Sequence, residues 1–213
     1  MSAQPSKLGR WNETVVDAAY DLLTTVGFKK MSVEAVARKA GVSRAAVYLH
    51  FKNKQDLTLA VIDRKNAAVI EAMRAAARSS ASPEQRAREI LRIRVLSRLS
   101  VARSHAASMD QLLASIREKY LQRRRDYSSE EAGVLAEVLV EGRLSRDFEF
   151  DDAFQTASSF ITATASLLPY SLSVKEIDAM GHVEQQLERL IDLCMRSISR
   201  IPERSDAAAG RSA

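Results

Sequence analysis

Hydrophobic residues recur at three- and four-residue intervals along most of the chain, which is the period of an amphipathic helix. The first such segment predicts a helix over 11–26, with an apolar face of Val15, Ala19, Leu22, Leu23 and Val26. Further helices are predicted after caps at 32 and 43, from 54 onward, and at 83–102, 104–115, 118–141, 151–168 and 174–199. Only seven glycines and four prolines interrupt 213 residues. We therefore expect an all-α protein.

Residues 32–51 fit a helix-turn-helix, in which a short helix, a glycine turn and a second short helix follow one another. Ser32 and Ser43 are suited to cap the two helices, and Gly41 falls in the turn between them. At 100° per residue, Val47 and Phe51 share one side of the second helix, and we expect both to be buried.

The opposite side of that second helix has an unusual composition for a solvated surface. It carries Ala45, Ala46, Tyr48 and Leu49. Small and apolar side chains suit a DNA major groove, where they permit close approach and contact thymine methyl groups. Arg44, at the start of the helix, is placed to reach a guanine edge or a phosphate.

The excess positive charge is confined to the first quarter of the chain. Residues 1–54 contain nine Lys or Arg and four Asp or Glu, a net charge of +5, whereas residues 55–213 are neutral overall. A randomly basic surface would have spread the excess along the chain. This division predicts a basic module that meets a polyanion, attached to a body with another role.

The stretch from about 13 to 62, with its GF turn, its AGVS turn and the motif YLHFKNK, resembles the DNA-binding domain of the tetracycline-repressor (TetR) family of bacterial transcription regulators. The resemblance implies a helical homodimer that represses transcription until a small effector binds. It also implies DNA contacts, mostly to phosphates, at Ser32, Ser43, Arg44, Ala45, Tyr48, His50 and Lys54. The chain departs from the family pattern at Ala45-Ala46, where members often have Gly-Thr or a similar pair, and at Leu49, where they often have an aromatic residue.

These observations divide the chain into four parts. We expect a flexible N-terminal arm over 1–10, a three-helix DNA-binding domain over 11–53, a helical ligand-binding and dimerisation domain over 54–201, and a disordered tail over 202–213. The DNA partner is expected to be a double-stranded, pseudo-palindromic operator, because a symmetric dimer reads two half-sites.

Two apolar stripes in the C-terminal domain are candidates for the dimer interface, through a bundle of two helices from each chain. They comprise Phe160, Ile161, Ala165, Leu168, Leu187, Leu190, Ile191, Cys194 and Ile198. The alternative is that both stripes pack inside one chain. A hydrophobic or amphipathic effector is expected to contact polar and polarisable residues of this domain: His105, Met109, Tyr120, Tyr127, Phe148 and Phe154, with Phe160 a further candidate.

Other classes of protein are disfavoured. One cysteine and three scattered histidines predict no metal site and no disulfide, and no motif predicts a cofactor or an enzyme. No apolar run is long enough to span a membrane and the first residues lack a secretory signal, so we expect a cytoplasmic protein. The rival to a DNA-binding regulator is a helical interaction or ligand-binding protein of the same fold that has lost specific DNA binding.

Overall fold

The computed structural model describes residues 7–103 and 106–200, apart from the side chains of 7–11, 103–113 and 174. This part of the chain is helical almost throughout, as predicted. Its α-helices are α1 (Lys7–Thr25), α2 (Gly27–Lys30), α3 (Val33–Ala40), α4 (Arg44–His50), α5 (Lys54–Ala77), α6 (Pro83–Arg103), α7 (Ala106–Leu144), α8 (Ala153–Ala163), α9 (Val174–Asp178) and α10 (Met180–Ile198). Two 3₁₀ turns, Thr164–Leu167 and Pro169–Ser171, connect α8 to α9.

Local capping interactions start the short helices where the sequence predicts them. Ser32, Ser43 and Asn53 each accept a hydrogen bond from the backbone N–H three residues further on, at 2.9–3.1 Å. Gly41 ends α3 with a left-handed φ of 70°, a conformation that costs glycine little. The caps and this glycine turn fix the angle between α3 and α4, and so confirm the helix-turn-helix.

The predicted break between helices at 104–115 and 118–141 is wrong, because residues 106–144 form the single helix α7. No glycine or proline occurs between 106 and 132, so nothing in the backbone interrupts the helix there. Conversely, the helix predicted over 174–199 is divided at Ala179 into α9 and α10, and the one predicted over 151–168 ends at Ala163 and continues as 3₁₀ turns.

The ends of the chain also differ from expectation. Helix α1 begins at Lys7, four residues before the predicted start, so residues 7–10 of the expected flexible arm are helical. Residues 1–6 and the expected tail at 202–213 lie outside the described residues.

Two separate clusters of buried side chains define a head and a body. The head is α1–α4 together with the first two turns of α5, and the body is the remainder of α5 together with α6–α10. The head core crosses the predicted boundary at 53/54, since Leu57 and Val61 of α5 belong to it. Helix α5 therefore packs into the cores of both head and body, so a tilt of this helix would displace packed residues in both.

Further contacts join head and body beside α5. An ion pair of 2.7 Å links Arg64 of α5 to Asp17 of α1, and one of 2.8 Å links Lys119 of α7 to Asp56. The short helix α2 packs against α7. Among the described helices, none has the length and apolar character needed to cross a membrane.

Candidate nucleic-acid interface and ligand cavity

Helix α4 has one buried face and one exposed face, as its sequence predicts. Val47 is fully buried and Phe51 is 7% exposed, so both join the head core. On the other side Leu49 is 82% exposed and Tyr48 is 40% exposed, and Ala45 also faces solvent. A helix of seven residues thus presents small and apolar side chains outward from a basic head.

The polar groups that frame this face are held by local contacts. Arg44 forms a 2.9 Å ion pair with Glu34 and lies 5.3 Å from the centroid of the Tyr48 ring. The pKa of Glu34 is lowered, chiefly by a hydrogen bond with its own backbone N–H and further by the Ser32 hydroxyl and Arg44. Glu34 is therefore ionised at neutral pH. A phosphate that binds Arg44 must compete with this carboxylate.

The other predicted DNA-contacting residues differ in their exposure to solvent. Ser43 is exposed, and its hydroxyl oxygen caps α4, which leaves its O–H free to donate. His50 and Tyr48 are exposed near the end of α4. Lys54 instead turns into the head, where its Nζ donates to the Phe28 carbonyl at 3.0 Å and lies 4.4 Å from the Phe28 ring centroid. In this structure Lys54 holds α2 against α5.

A cavity of about 350 Å³ lies where head and body meet. The head contributes Tyr20, Leu23 and Thr24 of α1 and Phe28 of α2. The body closes it with residues of α5, α6, α7 and the 3₁₀ turn at 169–171. This volume is in the lower range of pockets that bind small molecules. A molecule in this cavity would touch the DNA-binding head and the body together.

A buried charged network supports the body wall of the cavity. Arg94 and Glu131 are 1% and 2% exposed, and Arg94 Nε donates to Glu131 at 2.6 Å. Arg98 donates to the second oxygen of the same carboxylate and, at 2.9 Å, to the side-chain oxygen of Asn66. Thr164 accepts from Arg94 at 2.9 Å. One carboxylate is shared by two guanidinium groups, so the network keeps a net charge of +1.

Of the predicted effector-contacting residues whose side chains the structure describes, only Tyr120 lines this cavity. Burial raises its pKa to about 12, so its hydroxyl stays neutral. Tyr127 hydrogen-bonds Asp63 outside the cavity, and burial followed by this contact raises its pKa. Phe148 and Phe160 are buried in the body core, and Phe154 is 44% exposed on the surface of α8. These four side chains do not line the cavity, and their contact with an effector stays a prediction.

Two predicted residues fall where the structure describes no side chain. His105 lies outside the described residues, and Met109 lies on α7 with its side chain outside the description. Sequence reasoning missed Lys65, Arg98 and Tyr20 at the cavity. The position of Lys65 and Arg98 within otherwise apolar helical stripes could have indicated that these two residues line a cavity.

The two stripes predicted for the dimer interface are largely used inside one chain, which was the alternative reading. Buried in the body core are Phe160, Ile161, Leu168, Leu187, Ile191, Cys194 and Ile198, while Ala165 and Leu190 are partly buried. The face of a helix that packs into the core of its own chain is not available to a partner, so a second copy can contact only the opposite, solvent-facing side. The large apolar side chains left exposed on these helices are Leu193, 62% exposed on α10, and Phe154 on α8.

No group of three or more potential metal-ligating side chains occurs among the described residues. The single cysteine, Cys194, is buried, and burial raises the pKa of its thiol. It is therefore a packing residue of the body core rather than a reactive thiolate.

Comparison with known proteins agrees with this geometry. Residues 15–61 match the family model described as bacterial regulatory proteins, tetR family. The chain is 34% identical over 59 residues to the fatty acid metabolism regulator protein of Bacillus subtilis, an alignment that covers 28% of this chain and 30% of that one.

Solved structures extend the likeness to the whole fold. A transcriptional regulator from Cytophaga hutchinsonii superposes with a TM-score of 0.72 at 14% identity, over 88% of this chain and 98% of that one. A TetR transcription regulator from Haloarcula marismortui gives a TM-score of 0.63 at 19% identity, over 90% and 99% of the two chains. The head thus matches the model of bacterial regulatory proteins, tetR family, over residues 15–61, and the fold of head and body is shared with these solved structures.

Proposed function

We propose that this protein is a transcription regulator, not an enzyme, and that it binds a pseudo-palindromic DNA operator as a homodimer. It acts as a repressor and leaves the operator when a small molecule fills the cavity between head and body. The aligned part of the Bacillus subtilis relative is under a third of that protein, so this function rests mainly on the residues of the present chain.

The observation that carries the proposal is the outward face of α4. Because Val47 and Phe51 are buried, Ala45, Tyr48 and Leu49 face solvent. Exposure of the apolar Leu49 side chain to water does not stabilise the protein, which indicates a binding role for this face. A major groove accepts this face and offers thymine methyl groups to it. The net charge of +5 over residues 1–54 supplies the attraction to phosphates that brings the helix there.

A dimer is supported by the outer faces of α8 and α10. Leu193 and Phe154 are large apolar side chains that the chain leaves uncovered on these two helices. A second copy would bury them in a bundle of four helices. Dimerisation also doubles the DNA contacts of a small head and reads two half-sites about 34–36 Å apart or at a multiple of that spacing.

The position of the cavity supports ligand control. Its walls come from α1 and α2 of the head and from α5, α6 and α7 of the body. A molecule bound there and favouring one separation of these helices would tilt the head relative to the body. In a dimer this tilt changes the spacing of the two α4 helices and hence their fit to the operator.

Selection of bound duplexes from random DNA tests the proposal, because it reports specificity and symmetry together. The wild-type chain should enrich an inverted repeat. Leu49→Ala, Tyr48→Ala and Arg44→Ala should weaken or alter the selected site, while Arg78→Ala, an exposed residue just after the end of α5, should leave it unchanged. Failure to enrich any duplex in dilute buffer would favour the rival, a helical ligand-binding or interaction protein without specific DNA binding.

A further inference from the structure

The walls of the head-body cavity carry a strongly asymmetric set of charges. Lys65 and Arg98 line it, and no aspartate or glutamate is among the described residues that do. The remaining surface is mainly apolar and aromatic, with Leu23, Phe28, Ile62 and Val101 among its members. A cavity with two cations and no anion favours a negatively charged occupant.

The two cations are held in different ways. The guanidinium of Arg98 is committed to Glu131, to Asn66 and, at 2.8 Å, to the Arg94 carbonyl, so it is a fixed charge behind the wall. Lys65 has no carboxylate within ion-pair distance among the described side chains. Its Nζ lies 3.8 Å from the centroid of the Tyr20 ring.

The contact with the Tyr20 ring compensates the positive charge of the Lys65 ammonium only in part and accepts few of its hydrogen bonds. An ammonium group has three donors, and the face of a phenol ring compensates its charge more weakly than a carboxylate does. Tyr20 belongs to α1 of the head and Lys65 to α5, so this contact also ties the head to the shared helix. An anion that binds Lys65 would compete with the ring for the ammonium and loosen this tie.

We infer that the effector of this cavity is an amphipathic carboxylate whose acid group binds the Lys65 ammonium and whose apolar tail lies against Leu23, Phe28, Ile62 and Val101. The inference rests on the proposed function, since it names the chemical class of the effector. One ammonium without a carboxylate partner among the described side chains matches one singly charged carboxylate, and the positive network behind Arg98 adds longer-range attraction.

Binding of three matched probes to the full-length chain tests this directly. Decanoate, decanol and decylamine share a tail and differ in the charge of the head group, and each is used below the concentration at which it forms micelles. Isothermal titration calorimetry should give an affinity for decanoate about tenfold or more above that for decanol, the effect of one charge-assisted hydrogen bond. Decylamine should bind more weakly than decanol, because its charge repels both cations.

Variants of Lys65 assign the preference to this residue. Lys65→Met removes the charge and keeps the length of the side chain, so most of the preference for decanoate over decanol should be lost, and only the longer-range attraction of the Arg98 network should remain. Lys65→Arg should retain the preference, which also guards against a Lys65→Met chain that fails to fold. Lys175→Met, a charge-matched change on the exposed surface of α9, should behave as wild type.

Several results would overturn the inference. These are decanol binding as tightly as decanoate to the wild type, no binding of decanoate at all, or an unchanged preference in Lys65→Met. Gel-shift assays on the same preparations separate this failure from failure of the proposed function. If the protein shifts its selected duplex but does not prefer decanoate, only the proposed class of effector is wrong. If it prefers decanoate but shifts no duplex, only the proposed role as a DNA-binding regulator is wrong.

Discussion

Replacing Glu131 by glutamine should destabilise the protein strongly, because this carboxylate neutralises two buried arginines. Glu131 is 2% exposed and accepts hydrogen bonds from Arg94 and Arg98, of which Arg94 is 1% exposed. Glutamine keeps the shape of the side chain and one acceptor oxygen. It removes the negative charge and turns the amide NH₂ toward a guanidinium group, which is itself only a donor.

The magnitude follows from burial. Removing one partner of a buried ion pair leaves the other charge uncompensated and costs about 3–5 kcal/mol, a large fraction of the roughly 5–15 kcal/mol that stabilises a typical protein. The neighbouring Glu130 provides a matched control. It pairs with Arg74 at 2.6 Å on the surface, where water screens the interaction, so Glu130→Gln should cost far less.

Urea denaturation of both variants, followed by circular dichroism, measures the two losses in free energy of unfolding. The midpoint of Glu131→Gln should fall well below that of the wild type, and that of Glu130→Gln should stay close to it. Equal losses in the two variants would refute the account of the buried network. So would a Glu131→Gln chain as stable as the wild type.

Three further changes give separate expectations. Glu34→Gln should tighten binding to the selected operator a few-fold in fluorescence anisotropy, because it frees the arginine of α4 and removes an anion beside the DNA phosphates; weaker binding would count against the face we assign to DNA. Gly142→Ala should cost about 1–3 kcal/mol in thermal denaturation, since its Cβ would lie 2.2 Å from an aromatic ring, whereas Gly133→Ala, with open space around it, should not destabilise. Leu193→Glu should shift the protein toward monomers in sedimentation velocity, while Leu144→Glu, at the even more exposed last residue of α7, should not; identical dimers in both would exclude α10 from the interface.

The head could be predicted from sequence because its determinants are local. The serine caps of α3 and α4 and the left-handed glycine between them act within a few residues. Val47 and Phe51 then follow from the helical period alone. Lys54 is the exception, because its bond to the Phe28 carbonyl joins residues 26 positions apart.

The cavity and the buried faces of the body could not be predicted from the sequence, because they depend on which helices pack against each other. Periodicity identifies an apolar stripe but does not say whether the chain itself or a partner covers it, so the stripes of α8 and α10 were ambiguous. The cavity gathers residues from 20 to 170, and alanines such as Ala68 and Ala72 leave space there that no local pattern reveals. Among the residues predicted to contact the effector and described with side chains, Tyr120 alone belongs to its wall.

If the basic head brings the outward face of α4 to duplex DNA, the affinity must depend steeply on salt, and this dependence is the most direct test. If each of two heads neutralises two phosphates, the affinity for the selected duplex falls with a logarithmic slope of about −3.6, or roughly a hundredfold between about 50 and 200 mM salt. Fluorescence anisotropy with the wild-type chain should give this steep loss, and Arg44→Ala should flatten it. An affinity that stays constant across that range, or no binding at the lowest salt, would contradict the claim.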